Sequence, residues 1–223
     1  MRRAIVQILL WLFPWGIRRR CLKWFYGYQI HPTARIGKSI ILAQKLILED
    51  NAHIGSGTLC KPIDCLVMHK NSNLGNFNFI TGVNTSNRNS EHFAYIPNRK
   101  CELIIGSETG ITSRHYFDCT AGIYIGDYCQ IAGFGSTFLT HSIDIKENRQ
   151  DAQSIRIGNY CFIGLRSTIL KGTSIADRIA IGACSLVSSN LEKSESLYAG
   201  IPAKHVKDLE SYKFFFRNKG EVI

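Results

Sequence analysis

From Ile157 onward every sixth residue is a β-branched aliphatic: Ile157, Ile163, Ile169, Ile175, Ile181 and Val187. The residue that follows is Gly158, Gly164, Gly182, Ala176 or, once, Leu170. Two positions ahead of the aliphatic lies a small or branched slot, filled by Cys161, Ser167, Thr173, Ile179 and Ser185. A period of six suits neither a helix of 3.6 residues per turn nor a single pleated strand of period two. It suits a chain that makes a short strand, bends and repeats, with the aliphatic in a narrow core and a minimal side chain where the bend leaves little room. Hexapeptide periodicity of this kind is the signature of a parallel β-helix.

These residues resemble the hexapeptide-repeat acyltransferases. That resemblance implies an all-β, left-handed parallel β-helix, a triangular prism that is an exception to the right-handed crossover rule. It also implies a homotrimer and acetyl-CoA as co-substrate, with no metal required. Sugar nucleotidyltransferases and γ-class carbonic anhydrases share the repeat. The first is disfavoured because the chain has no room for a nucleotide-binding domain. The second needs three histidines converging on zinc, and only His115 and His141 fall on neighbouring coils near one site. A non-catalytic β-helix scaffold is the other alternative.

An earlier block keeps the same step at Ile30, Ile36, Leu42, Leu48, Ile54, Cys60 and Leu66, and slips by two before Leu74 and Ile80. A third block holds Ile105, Ile111 and Phe117, then Ile125, Ile131 and Thr137, matched at an offset of twenty. Two polar, aperiodic stretches, 83–99 and 142–154, read as excursions from the prism; long loops on regular scaffolds often carry function. The domain reading is therefore an amino-terminal segment 1–29, a β-helix 30–195 and a tail 196–223 that leaves the prism for a short helix.

The amino-terminal segment is of another kind. Arg2 and Arg3 precede an apolar run from Ala4 to Phe13, then come Pro14, Trp15, Gly16, the triplet Arg18–Arg19–Arg20 and the aromatics Trp24, Phe25 and Tyr26. The run is too short to span a bilayer and lacks a signal-peptide cleavage site. Its arginines and tryptophans suit a helix lying on an anionic membrane; packing against the β-helix or a neighbouring subunit is the alternative. The net charge of +10 fits an anionic partner, and with no zinc-finger or RNA-recognition motif nucleic acid is not expected. None of the eight cysteines forms a C-x-x-C pair. Cys129 and Cys161 fill the small core slot, which fits a reducing compartment. A cytoplasmic protein, peripheral at the inner face of the plasma membrane, is expected.

Among seven histidines His141 stands apart. It directly follows a repeat strand in F-L-T-H-S-I-D and opens the second excursion, so it falls at a prism corner. In place it resembles the general-base histidine of hexapeptide O-acetyltransferases, and an imidazole can take a hydroxyl proton and later release it. Asp144 is positioned to orient the ring as in a catalytic triad. Asp118, in H-Y-F-D-C-T, is its rival: it resembles the Asn of the F-N-x-T segment in galactoside and maltose acetyltransferases that contacts the acceptor sugar, so contact with acceptor and contact with His141 are both open. His115 either fills a core gap or faces the acceptor. For the donor, the resemblance assigns Gly164, Leu165, Gly182, Ala183 and Ser188 to the pantetheine arm through backbone amides, and Lys204 and Lys207 to the nucleotide phosphates. Leu165 where related enzymes often place Ser, and Ser189 where Lys is common, are departures. The function implied is O-acetylation of a sugar hydroxyl, on a free or lipid-linked glycan of surface polysaccharide.

Overall fold

A computed structural model of the chain describes residues 2–86, 91–220 and 222. The chain winds as a left-handed parallel β-helix with three faces. The first face runs from Gln29–Ile30 through Lys45–Leu48, Cys65–Met68, Glu102–Ile105, Ile123–Ile125 and Ile155–Ile157 to Ser174–Ile175. The second runs from Arg35–Ile36 to Ile179–Ile181 and Ser196–Ala199, the third from Ile40–Ile41 to Leu186–Val187. Each strand gives the core one or two side chains, stacked in register with those above and below: Ile125, Ile157 and Ile175 on the first face, Ile131, Ile163 and Ile181 on the second. All six are buried, each contributing about 1.5–3 kcal/mol. Phe117 and Phe138 stack inside the prism with centroids 4.8 Å apart and planes 8° apart.

The residue after each aliphatic is small because coils nearly touch at the bends. A Cβ added to Gly126 would meet the Gly158 carbonyl carbon and oxygen at 2.7 Å.

Two expectations are corrected, the offset on the third face and the end of the prism. The offset of twenty holds on the first two faces, Leu103 over Ile123 and Ile111 over Ile131. On the third face it is twenty-one, because the bend Ala132–Ser136 holds one residue more than Thr112–His115. Phe138, not Thr137, therefore enters the core, and Asp118 stands beside Leu139. The excursion at 142–154 is an antiparallel hairpin, His141–Asp144 with Arg149–Ala152. The prism extends past 195: Ser196–Ala199 forms another rung, and Lys204–Asp208 folds back antiparallel on it before a 3-10 turn at Lys213–Phe216. The amino-terminal segment is two helices, α1 (Arg2–Leu10) and α2 (Trp15–Tyr26), closing the open end of the prism. No helix among the described residues is long and apolar enough to cross a membrane. Residues 87–90 of the 83–99 excursion lie outside the described residues.

Candidate active site

Both excursions leave the same edge of the prism, where the third face turns into the first. Asp118 ends its third-face strand and His141 follows the neighbouring strand Thr137–Leu139 on that edge. The His141 Nδ1–H donates to Asp118 Oδ2 at 2.5 Å. The same oxygen accepts from the backbone N–H groups of Thr140 and His141, each at 3.1 Å, while Oδ1 accepts from the Thr120 hydroxyl at 2.7 Å. Asp118 is 1% exposed and every one of these partners is a donor, so an ionised carboxylate fits here and an asparagine amide nitrogen does not. That accounts for Asp in place of the Asn of the resembling enzymes, and it leaves no oxygen free for an acceptor.

The extra residue at Ala132–Ser136 is what brings His141 onto Asp118. With Nδ1 protonated and held, Nε2 carries the free lone pair; it has no hydrogen-bond partner among the described residues. The hydrogen bond to Asp118 raises the His141 pKa above its ordinary 6.5, against burial and the positive charges of Lys171 and Arg99. Burial pushes Asp118 up, but its hydrogen bonds from His141 and Thr120 outweigh this and hold it below the ordinary carboxylate value.

Asp144 does not orient the ring. It lies three residues out on the hairpin, and its Oδ1 accepts from the N–H groups of Lys146 and Glu147 at 3.1 and 3.2 Å, closing the turn. His115 faces neither acceptor nor metal. It is buried, its Nδ1 accepts from Ser136 N–H at 3.2 Å and its Nε2 is 2.9 Å from the Thr112 hydroxyl. Burial pulls its pKa down to about 4, so it is a neutral core histidine.

Sequence reasoning missed the walls around His141. The Phe93 and His141 rings are perpendicular with centroids 6.3 Å apart, and the Arg99 guanidinium lies over the Phe93 ring, 4.7 Å from its centroid. Tyr95 donates to the Gln150 carbonyl, and Lys171 pairs with Asp151. The excursion thus packs onto the hairpin and the two frame the histidine. Phe93, Arg99 and Tyr95 lie in the aperiodic 83–99 stretch, where no repeat fixes their positions; Lys171, at a bend otherwise kept small, was the one visible signal.

The second–third edge carries a different feature. In its lower coils the second bend residue offers its N–H to a side-chain oxygen of the coil above: Lys38 to Ser56 (3.2 Å), Ser56 to Asn76 (2.7 Å) and Asn76 to Ser113 (3.0 Å). Above that the ladder stops, because Gly133, Leu165 and Ala183 have no side-chain oxygen. The N–H groups of Ser113, Gly133, Leu165 and Ala183 have no partner among the described residues. A column of free N–H groups can donate to the carbonyl oxygens of an extended chain. The glycines themselves say nothing about a ligand: a Cβ on Gly164 would meet Ala183 N at 2.6 Å and one on Gly182 the Ala199 Cβ at 2.9 Å, so coil stacking requires them. Lys204 continues this edge beside Ala199, whereas Lys207 lies further along the strand with its ammonium 6.0 Å over Tyr212. Ser188 follows the last third-face strand and so belongs to the edge of His141, apart from the amides. Within one chain the two edges are separated by the width of the third face, about 15–20 Å for the residues between Gly135 and His141.

Residues 154–188 match the family described as the hexapeptide repeat of succinyl-transferase. No curated protein matches the chain. Among solved structures, the chain is similar to the N-acyltransferase AntD from Bacillus cereus in complex with dTDP and coenzyme A, at 16% identity and TM-score 0.59 over 75% of this chain and 84% of that one. It is similar to the polySia specific acetyltransferase NeuO, at 21% identity and TM-score 0.55 over 82% and 87%. It is also similar to a hexapeptide-repeat-containing acetyltransferase from Vibrio cholerae complexed with acetyl coenzyme A, at 16% identity and TM-score 0.53 over 94% and 87%. At these identities the likeness carries the fold, a hexapeptide-repeat left-handed β-helix.

Proposed function

We propose that this protein is an O-acetyltransferase that moves the acetyl group of acetyl-CoA to a sugar hydroxyl in surface polysaccharide synthesis, working as a homotrimer at the inner face of the plasma membrane. The observation that carries the reading is the His141–Asp118 pair: a buried carboxylate holding one ring nitrogen and leaving Nε2 free on an open edge. His141 Nε2 accepts the hydroxyl proton as the sugar oxygen attacks the acyl carbonyl, and returns it to the departing sulfur. Asp118 fixes the tautomer and stabilises the imidazolium. A thioester supplies an activated acyl group whose transfer needs no further chemistry from the protein. Backbone amides of Leu165 and Ala183 are suited to the pantetheine arm, Lys204 to phosphate. Similarity to a polysialic-acid acetyltransferase and to acyltransferases crystallised with coenzyme A or acetyl coenzyme A supports the donor and the acceptor class.

The separation of the two edges supports an assembly of copies, which we read as a trimer: a histidine edge of one copy against the amide edge of the next makes one site. The hairpin carries Ile143 and Ile145 exposed at 61% and 90%, an apolar contact suited to a neighbouring copy.

His141→Ala is expected to lower turnover by roughly 10²–10⁴ with the thermal transition unchanged; near-normal acetyl transfer in the purified variant sinks the reading. Mass spectrometry of surface glycans with and without the gene identifies the acceptor, and lability of the product to hydroxylamine separates an ester from an amide.

A further inference from the structure

The two amino-terminal helices are built inside out. A helix on a soluble domain turns its apolar stripe inward and its polar face to water. Here α1 buries Gln7, at 4% exposure, and leaves Ile5, Val6, Ile8 and Leu9 outside. α2 buries Arg18 beside Leu22 and leaves Ile17, Trp24 and Phe25 outside, and the turn between them exposes Leu12 at 83%.

The inversion has a cause in the prism. Its first coil is the free edge of all three sheets, with backbone groups that no further strand pairs. Gln7 answers Ile41 at both ends, Nε2 to the carbonyl at 2.6 Å and Oε1 from the N–H at 2.8 Å. Arg18 donates to the Gly37 carbonyl at 2.7 Å and the Trp15 indole to the Ala34 carbonyl at 3.0 Å. Leu22 is buried and Leu10, Trp15 and Tyr26 pack partly against the core, but with Gln7 and Arg18 turned onto the coil most of the remaining large apolar side chains are left to the outside. Nine large apolar side chains between Ile5 and Phe25 are exposed there. Around them stand Arg2, Arg3, Arg20 and Lys23, also exposed, and residues 2–28 contain no acid. A second copy is a poor cover, since it presents the same acid-free cationic face. An anionic bilayer meets both needs, an apolar depth and negative headgroups.

We infer that this cap is a membrane-docking surface that stands the prism upright on an anionic bilayer, and that the acceptor is a lipid-linked glycan modified several sugars out from its lipid. His141 lies four rungs from the first coil on the third face, about 19 Å at the inter-strand spacing of a sheet. With the helix layer between, the base stands roughly 25 Å above the headgroups. A monosaccharide attached directly to a membrane phosphate does not reach it. The glycan part of this inference rests on the transferase function proposed above; the docking part does not.

The test uses the full chain with vesicles of phosphatidylcholine plus phosphatidylglycerol and with phosphatidylcholine alone. The protein is expected to sediment with the mixed vesicles at low salt and to be released at high salt. The triple variant Leu12→Ser, Phe13→Ser, Trp24→Ser is expected to bind roughly tenfold or more weakly, with an unchanged thermal transition because these side chains are exposed. A fluorophore on Glu210→Cys, exposed beyond the folded-back strand at the far end of the prism, in a Cys21→Ser, Cys65→Ser, Cys184→Ser background, is expected to be left unquenched by lipid carrying a nitroxide headgroup, a quencher that acts only near contact. Long lipid-linked glycans are expected to be acetylated roughly tenfold or more faster than single-sugar lipids in the same vesicles. Absence of binding to the mixed vesicles, equal binding by the triple variant, or a variant that loses its oligomer instead, overturns the docking surface. Strong quenching at Glu210→Cys by the nitroxide headgroups, or equal rates on short and long glycans, overturns the upright placement. Turnover of a water-soluble acceptor is measured alongside: its absence with vesicle binding intact counts against the transferase, and its presence without vesicle binding counts against the docking.

Discussion

One oxygen sets the chemistry of the site. Asp118 Oδ2 faces three N–H donors, one of them the imidazole, so it stabilises the imidazolium and raises the His141 pKa above 6.5. The base form is therefore fully available only above that value. The rate kcat/KM is expected to climb with pH with a midpoint above 6.5. Asp118→Asn is expected to move the midpoint down toward 6.5 and to lower the plateau by roughly 10²–10⁴; a midpoint that stays put separates Asp118 from the base. For stability the pH dependence of His141 is opposite to that of the rate. A histidine raised in the folded state stabilises it below 6.5, and that contribution is lost as pH rises through the folded value. His115 runs oppositely: depressed to about 4 by burial, it destabilises the fold as pH falls from 6.5 toward 4.

At the scale of the element, the two open edges are made by opposite departures from the repeat. The third–first edge gains residues, an excursion and a hairpin that wall in His141 through Phe93, Tyr95 and Lys171. The second–third edge loses side-chain oxygens: Gly133, Leu165 and Ala183 lack the acceptor that Ser56, Asn76 and Ser113 supply below. Restoring an oxygen tests the amide column. Ala183→Asn places an acceptor where it reaches the Leu165 N–H, and is expected to raise KM for acetyl-CoA roughly three- to tenfold while leaving KM for the acceptor unchanged. An unchanged donor KM removes that amide from the donor site.

The whole molecule is a rod with distinct ends and edges. The helical cap closes one end, the folded-back strand Lys204–Asp208 and its turn the other, and neither edge alone holds both halves of the proposed site. If the site forms between copies, His141→Ala mixed with Ala183→Trp under subunit-exchange conditions is expected to give more activity than the two variants measured apart, because some interfaces join an intact histidine edge to an intact amide edge. Activity equal to the sum places the whole site within one chain.

The repeat, and hence the coil and its core, is legible along the chain, because each rung's inward residue is specified locally and recurs every six positions. It also determined that His141 stands at a bend, since the residue directly follows a strand of the repeat. Which residues meet across coils emerges only once the chain is wound. The choice of Asp118 over Asp144 turns on one additional residue in the bend Ala132–Ser136, which shifts the third face by one against the other two. The free amides depend on what the coil above lacks, and the inverted helices on a free sheet edge that takes their polar side chains. Periodicity encodes position along a coil; alignment between coils depends on residue counts accumulated over distant bends, and only the wound chain brings those counts into contact.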